Sequence, residues 1–393
     1  MSLKGYQFSA VEAAIKKPGR KDLALIWSEV PATAVAVFTT NAVKAAPVLL
    51  SMERIACGKA QALVVNSGNA NACTGDQGMA DARETTRILA EGLGIDEQLV
   101  QICSTGVIGV SLPMERLRTA LPELVAKRGG ATLDDLASAI MTTDTFPKTS
   151  VCQGVSGGVT YTLAGTAKGA GMIMPNMATM LGYVLTDAAV EPGLLNSLFR
   201  TAVDRSFNAI TIDGDTSTND TCLMMANGAA GNVPITEGTA AAEQFMVLLD
   251  QVLLDLAKQI VRDGEGATKF VEISITGAAS DTEAKRAALA VANSSLVKTA
   301  FYGQDANWGR IFAAVGYSGA KVDPDRLALW FNDVCMAKNG IFAGGDAEQQ
   351  GTAVLKQKDI RVTVDLGIGT GQATVYTSDL SHDYVSINAD YRT

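Results

Sequence analysis

The fold is decided by the stretch from Lys168 to Thr186, whose sequence is KGAGMIMPNMATMLGYVLT. It begins as a glycine-rich loop, passes through Pro175 as a constrained turn, and ends in an apolar run from Met180 to Leu185. That order predicts an adaptable loop, a turn and then a buried strand. Thr179 lies where the turn meets the strand. It is therefore either a threonine of the strand core or a nucleophile that the strand holds in place.

Outward from this stretch, strand-like and helix-like segments alternate along the chain, which predicts an α/β fold. Strands are predicted at 23–27, 34–38, 62–65, 99–103, 159–163, 210–212, 269–276, 328–332, 360–366 and 372–377. Helices are predicted at 79–92, 113–127, 132–141, 192–205 and 239–262. We predict a larger domain over residues 1–276 and a smaller α/β domain over 277–393.

The helix predicted at 239–262 shows the clearest periodicity of the chain. Its apolar residues recur at helical spacing, which predicts a face packed in the core rather than a binding surface. These residues are Phe245, Leu249, Val252, Leu253, Leu256 and Ile260.

Composition excludes several classes of protein. The 393 residues are 47% apolar and carry a net charge of -9 without a basic cluster, which indicates a folded protein and argues against a nucleic-acid partner. No apolar run is long enough to span a bilayer, and the N-terminus lacks the apolar segment of a signal peptide. The six cysteines form no Cys-x-x-Cys pair, so neither a zinc site nor a thioredoxin-type pair is expected. In a chain of this size, isolated thiols fit a reducing compartment better than a disulfide framework. We therefore expect a cytoplasmic protein.

The chain contains a single histidine, His382. Catalytic mechanisms that use Ser-His-Asp, Cys-His or several histidine ligands would all depend on this one residue. Any acyl-transfer chemistry is expected to find its base elsewhere. The α-amine of an N-terminal threonine is one such base, because its reference pKa of about 8 lies close to neutral pH.

Two polar residues at loops have alternative interpretations. Lys168 lies in a glycine loop, but it precedes the glycines, which is the wrong order for a phosphate-binding loop. Glu265 lies between Gly264 and Gly266 at the end of a predicted helix. A carboxylate is slightly unfavourable at that end of a helix, so Glu265 is either part of a plain turn or a ligand for a cation.

Longer motifs make nearly the whole chain, from Lys44 to Tyr391, resemble the glutamate N-acetyltransferase/ornithine acetyltransferase family. Members of that family are self-cleaving enzymes of arginine biosynthesis. The shared motifs are NSGNANACTG (66–75), CSTGVIG (103–109), IMTTD (140–144), AKGAGM (167–172), MATML (177–181), DTSTNDT (215–221) and GEGATK (264–269). One departure is Ala306, which stands where the family usually has proline; it removes no functional group.

The resemblance implies a fold and a set of site residues. The fold would be a layered αββα-type core, like that of self-cleaving N-terminal-nucleophile enzymes, with a smaller α/β domain. Residues 1–276 would form the catalytic core with the self-cleavage site Ala178–Thr179, and the C-terminal tail of the 277–393 domain would return to the active site. Thr179 would be the nucleophile, freed by cleavage of the Ala178–Thr179 bond, and Thr105 with Gly106 would stabilise the oxyanion. The implied substrate-binding residues are Thr142, Lys168, Thr179, Glu265, Asn388 and Thr393.

The resemblance also implies a reaction and an assembly. An acetyl group would move from N2-acetylornithine to glutamate through an acetyl-Thr179 intermediate, without a metal or a cofactor. Whether acetyl-CoA also serves as a co-substrate is left open. The α chain (1–178) and the β chain (179–393) would assemble into an α2β2 heterotetramer, with small-molecule substrates and neither nucleic acid nor membrane as a partner.

Two other functions are compatible with the same stretch. A self-cleaving N-terminal-nucleophile aminopeptidase or amidohydrolase would use the same threonine with water as the acceptor. A binding or scaffold protein would have Thr179 as a core residue and would stay uncleaved.

Overall fold

A computed structural model describes residues 3–174 and 180–390 of the chain. Within these residues, contacts divide the chain into two compact units. The first unit comprises residues 3–169, 180–208 and 215–260, and the second comprises 170–174, 209–214 and 261–390.

Both units contain a β-sheet. The strands are β1 (Tyr6–Val11), β2 (Leu23–Phe38), β3 (Lys59–Asn69), β4 (Val100–Val107), β5 (Lys148–Ser156), β6 (Val159–Lys168), β7 (Leu181–Thr186), β8 (Ile210–Thr211), β9 (Thr221–Ala226), β10 (Phe270–Ala278), β11 (Ala328–Phe331), β12 (Val334–Lys338), β13 (Ile341–Phe342), β14 (Asp359–Asp365) and β15 (Gly371–Ser378). Helices lie between many of these strands. The helices are α1 (Ala46–Ile55), α2 (Gly75–Leu93), α3 (Met114–Ala126), α4 (Leu133–Ile140), α5 (Pro192–Arg205), α6 (Ala240–Arg262), α7 (Asp281–Ala292), α8 (Ser295–Tyr302), α9 (Trp308–Tyr317), α10 (Ala347–Leu355) and α11 (His382–Ala389).

The sheet of the first unit has the strand order β4-β3-β2-β9-β7-β6-β5, and β1 pairs with β2 beside this path. β7 lies inside the sheet, antiparallel to β6 and parallel to β9. Every residue of β7 is buried. The prediction of a buried strand after Thr179 is therefore confirmed.

β2 corrects one sequence prediction. Two strands were expected, at 23–27 and 34–38, but Leu23–Phe38 is one continuous strand. The first half of β2 pairs with β1, whereas its second half, from Thr33, pairs with β9. Pro31, which has no N–H to donate, falls where the partner changes. The polar and exposed residues around it made one strand look like two.

Helices cover both faces of the first sheet because side chains alternate along β2. Leu23 and Leu25 pack in one core cluster with residues of α2 and α3. Ala24 and Ile26 point the other way and pack in a second cluster with residues of α4. A sheet buried on both faces explains why its strands are apolar nearly throughout.

α6 packs on β6. The predicted apolar face of this helix, from Phe245 to Ile260, is fully buried, so the prediction of a packing face is confirmed. Gly165 of β6 allows the close approach. A Cβ added at Gly165 would lie 2.8 Å from Leu256 Cδ1 and 2.9 Å from Val252 Cγ1.

The sheet of the second unit has the strand order β13-β12-β11-β14-β10-β15-β8. β10 pairs in parallel with β14 and antiparallel with β15, and Val271, Ile273 and Ile275 pack in a core cluster with residues of α7. β10 thus belongs to the second unit, although it precedes the predicted boundary at Gly277. The predicted fold class, a mixed α/β protein with a sheet in each part, is confirmed. Among the described residues, no helix has both the length and the apolarity needed to cross a membrane.

Candidate functional site

The ends of β3 and β4 place Thr105 and Gly106. These strands are parallel, so their polar C-terminal residues lie together at one edge of the sheet. Gly106 has φ +135°, and an added Cβ would overlap the carbonyl carbon of Gly68 on β3. Only glycine fits so close an approach of two backbones. The register of β3 against β4 shifts at this point, between Gly68 and Asn69.

A buried network holds this edge of the sheet. The hydroxyl of Ser104 donates to Asn66 Oδ1 at 2.6 Å. Asn219 donates from Nδ2 to the carbonyls of Ala70 and Ser104, at 2.6 and 2.8 Å. Thr105 and Gly106 are therefore part of a rigid strand end rather than a mobile loop.

Lys168, the last residue of β6, lies beside Thr105. Its Nζ donates to Thr105 Oγ1 at 3.4 Å, and the residue is 8% exposed. Because the lysine occupies an acceptor site on the oxygen, the hydroxyl proton of Thr105 is available for another acceptor. The structure thus brings together two residues that the sequence motifs singled out separately.

Asp144 connects three parts of this region. Its Oδ1 accepts from Lys148 Nζ and from the Gly169 N–H, both at 2.7 Å, and its Oδ2 accepts from the Thr142 N–H at 3.0 Å. The side chains of Asp144 and Lys148 are completely buried. The carboxylate therefore ties the half-buried Thr142 loop to the residue that follows Lys168.

The charge of Asp144 is held by its neighbours. Burial by itself raises the pKa of this carboxyl, but the charges of Lys168 and Lys148, with hydrogen bonds from Lys148 and Thr142, outweigh burial and keep the pKa at about 2. Asp144 is therefore an anion at neutral pH.

Asp220 is a second buried carboxyl of the first unit. Burial raises its pKa well above the ordinary value, against the opposing effects of a Ser217 hydrogen bond and the charge of Lys168. Its Oδ2 has no hydrogen-bond partner among the described residues. The next residue, Thr221, donates its N–H to the carbonyl of Met180 at 3.1 Å. Asp220 therefore lies level with Met180, the residue that follows Thr179 in the sequence.

In the second unit, Glu265 and Asn388 lie together. Asn388, on α11, donates from Nδ2 to Glu265 Oε2 at 2.8 Å, and Glu265 donates its own N–H to the carbonyl of Ala170 at 2.8 Å. Gly171 leaves room for the Glu265 side chain, because an added Cβ would clash with Glu265 Oε2 and the carboxylate would have to move. Glu265 is thus held by two other segments of the chain, with Asn388 bonded to its carboxylate and Ala170 bonded to its N–H.

The predicted site residues fall into three groups. Thr105, Gly106, Thr142 and Lys168 lie in the first unit, at or near strand ends. Glu265 and Asn388 lie in the second unit. The remaining predicted residues, Ala178, Thr179 and Thr393, lie outside the described part of the chain.

Sequence reasoning missed Asp144, Lys148 and Asp220 as members of the site. Asp144 and Asp220 both lie within quoted motifs, but their burial and charged neighbours depend on strands that are distant in sequence. The spacing of Asp144 and Lys148, four residues apart, was a visible signal for an ion pair. Nothing local indicated that this pair would be buried.

Comparison with known proteins identifies the family. A model described as the ArgJ family matches residues 7–393. Proteins called arginine biosynthesis bifunctional protein ArgJ, from Geobacter sulfurreducens and Syntrophotalea carbinolica, are 69% and 53% identical, and each match covers 100% of both chains. A crystal structure of the protein of that name from Bacillus halodurans has a TM-score of 0.51 and 44% identity, and the match covers 53% of this chain and 97% of that one. The family resemblance drawn from the motifs is therefore confirmed, and the chain belongs to the ArgJ family.

Proposed function

We propose that the chain cleaves itself at Ala178–Thr179 and then transfers an acetyl group from N2-acetylornithine to glutamate through acetyl-Thr179. Membership of the ArgJ family makes the chain an acetyltransferase of arginine biosynthesis. The observation that carries the proposal is the full-length match to that family, at up to 69% identity over 393 residues. The geometry around Thr105 and Lys168 supplies the physical support.

The cleavage step needs only the chain itself and water. The Thr179 hydroxyl attacks the carbonyl carbon of Ala178, the C–N bond breaks, and the hydroxyl proton ends on the nitrogen, leaving an ester and a free α-amine. Water then hydrolyses the ester, which frees the Thr179 hydroxyl and leaves Ala178 with a carboxylate. The half-length coverage in the Bacillus halodurans comparison supports two product chains, since nearly all of that chain matches about half of this one.

The transfer step uses the new amine as its base. Thr179 Oγ attacks the acetyl carbonyl of the donor while the α-amine accepts the hydroxyl proton and passes it to the departing amine of ornithine. The amine of glutamate then attacks the acetyl ester, and Thr179 recovers its proton. The single histidine, His382, is not needed in either half of this cycle.

The first unit provides groups that suit the oxyanion. Negative charge develops on the carbonyl oxygen in both half-reactions, and donors fixed in advance lower the barrier most. The Thr105 hydroxyl has its proton available because Lys168 donates to its oxygen. The Gly106 N–H, at the same rigid strand end, is the second donor that we assign.

The remaining groups suit the charges of the substrates. Lys168 is suited to a substrate carboxylate, and Glu265 with Asn388 is suited to an ammonium group. We assign Thr142 and Thr393 to substrate contact on the family resemblance. We also propose that the enzyme works in the cytoplasm as an α2β2 heterotetramer without a cofactor; the free state of all six cysteines supports a reducing compartment.

A second donor is favoured by the name of the relatives. Those proteins are called bifunctional, and we propose that acetyl-CoA also acetylates glutamate here.

The assay of the proposed function tests both donors. Purified protein is incubated with acetyl-labelled N2-acetylornithine, with and without glutamate, and in parallel with acetyl-CoA and glutamate. We expect labelled N-acetylglutamate only when glutamate is present. Acetate release that does not depend on glutamate would instead identify the hydrolase.

Thr105→Val tests the oxyanion assignment. Valine keeps the shape of the side chain but removes the hydroxyl donor, so we expect kcat to fall about 10²- to 10³-fold with a small change in KM. Steady-state kinetics of the cleaved protein measures both. Thr105→Ser is the matched control, because it keeps the hydroxyl and should retain most of the activity. Equal activity of the valine and serine variants would remove Thr105 from the mechanism.

A further inference from the structure

The segment that precedes the cleavage site is fixed by one carboxylate. The N–H groups of Met172 and Ile173 donate to Asp213, at 2.6 Å to Oδ2 and 2.8 Å to Oδ1. Met172 has φ +57°, a left-handed conformation that is unfavourable for a residue with a side chain. Two charge-assisted hydrogen bonds to consecutive amides are a reason for the chain to keep that conformation.

Neighbours of Asp213 complete this attachment. Ile173 accepts at its carbonyl from the Ile212 N–H at 2.7 Å and from Thr211 Oγ1 at 3.1 Å. The hydroxyl of Tyr384, on α11, donates to Asp213 Oδ2 at 3.2 Å. All of these residues lie in the second unit. Ile173 is thus bonded at both its N–H and its carbonyl, five residues before Ala178.

We infer that Asp213 is a positioning residue for self-cleavage, acting through the backbone of Met172 and Ile173. This inference rests on the proposed cleavage at Ala178–Thr179. An intramolecular attack is fast only when the hydroxyl and the carbonyl spend much of their time in an attacking geometry. Fixing the chain five residues upstream removes conformations in which the Ala178 carbonyl is out of reach. After the Ala178–Thr179 bond is cut, Asp213 still holds Met172 and Ile173, but these residues are no longer covalently joined to Thr179.

The consequence is a separation of two rates. Loss of the Asp213 carboxylate should slow the first, once-only cleavage, whereas acetyl transfer by molecules that have cleaved should be nearly unaffected. A residue that only stabilised the fold would lower both rates or neither. A residue that acted on Thr179 as a nucleophile would also lower kcat of the cleaved enzyme.

A matched control exists in the same unit. Asp379 also accepts from two consecutive amides, those of Thr268 and Lys269, at 2.8 and 3.0 Å. Both carboxylates also act on the same buried lysine, Lys298, by raising its pKa against the larger lowering effect of burial. Asp379→Asn therefore removes an equivalent carboxylate that does not hold the segment before the cleavage site.

The experiment follows cleavage of newly made full-length chain in a cell-free translation reaction, on denaturing gels over time. We expect Asp213→Asn to cleave about 10- to 100-fold more slowly than the unmodified chain, and Asp379→Asn to cleave within about twofold of it. The kcat of the cleaved Asp213→Asn protein, purified after completion, is expected within about twofold of that of the unmodified enzyme.

The outcomes separate the inference from the function on which it rests. An unmodified chain that never cleaves would overturn the proposed cleavage itself. Cleavage of Asp213→Asn at the normal rate, or equal slowing of both variants, would overturn only the role of Asp213. Should Asp213→Asn fail to fold, Tyr384→Phe decides the question: it removes one hydroxyl donor to Asp213, and an unchanged rate in place of a several-fold slowing would overturn the inference.

Discussion

Thr179→Ala is expected to leave one uncleaved chain of 393 residues and to abolish acetyl transfer. In the proposed mechanism the Thr179 hydroxyl is the attacking group in both reactions, so its removal should block self-cleavage and the catalytic cycle together. Removal of the nucleophile from a serine protease costs about 10⁶-fold in kcat, and we expect a loss of that order here. A denaturing gel and an assay of N-acetylglutamate formation check the two effects.

Thr179→Ser is the matched control for this prediction. Serine retains the hydroxyl, so both cleavage and acetyl transfer should persist at reduced rates. Intact mass of the 179–393 chain, after incubation with N2-acetylornithine alone, should reveal a chain heavier by one acetyl group. Cleavage or full activity of Thr179→Ala would show that another residue is the nucleophile.

Asp144→Asn is expected to destabilise the protein by about 3–5 kcal/mol, because it leaves the charge of Lys148 buried without its partner. It also weakens the hydrogen bonds to the amides of Gly169 and Thr142. We expect acetyl transfer to fall as well, since Lys168 and Thr142 lose a common support. Urea unfolding, followed by circular dichroism, measures the change in the free energy of unfolding.

The control for Asp144 is an ion pair with the same spacing at the surface. Glu123 and Lys127 are also four residues apart, but both side chains are about half exposed or more, at 49% and 61%. Glu123→Gln should therefore change the stability very little. If Asp144→Asn and Glu123→Gln lowered the free energy of unfolding by similar amounts, burial of the Asp144–Lys148 pair would not be the cause of the loss.

Stability should also depend on pH through Asp144. The pKa of this carboxyl is about 2 in the folded protein, below its ordinary value of 3.8. Its contribution is therefore complete above about pH 4 and is lost as the pH falls toward 2. Over that range the free energy of unfolding should fall more steeply for the unmodified protein than for Asp144→Asn.

Local pattern predicted the elements that are regular over a long stretch or strongly apolar. The strand after Thr179 was recognisable from its continuous apolar run, and the helix 239–262 from apolar residues that recur at helical spacing. The helix predicted at 132–141 likewise begins with a local signal, because Thr132 and Asp135 form both hydrogen bonds of a capping box at the start of α4. Such features depend on residues close in sequence.

The features that sequence missed depend on distant partners. Helix α7 is rich in alanine, and the buried faces of α7, α8 and α9 are defined only by the core cluster of the second unit. The burial of Asp144 and Asp220 depends on strands that are distant in sequence. The family motifs indicated which segments carry the chemistry, but not that Asp213 holds the segment before the cleavage site.

The strand order of the first sheet has a consequence for the cleaved molecule. β9 and β7 come from residues 179–393, yet they lie between β2 and β6, which come from residues 1–178. In the proposed cleaved molecule neither product chain can complete this sheet alone, so dissociation would expose the backbone edges of β2, β9, β7 and β6. Cleavage thus turns a folding reaction of one chain into an association of two. The midpoint of unfolding should then rise with protein concentration after cleavage, whereas that of uncleaved Thr179→Ala should not.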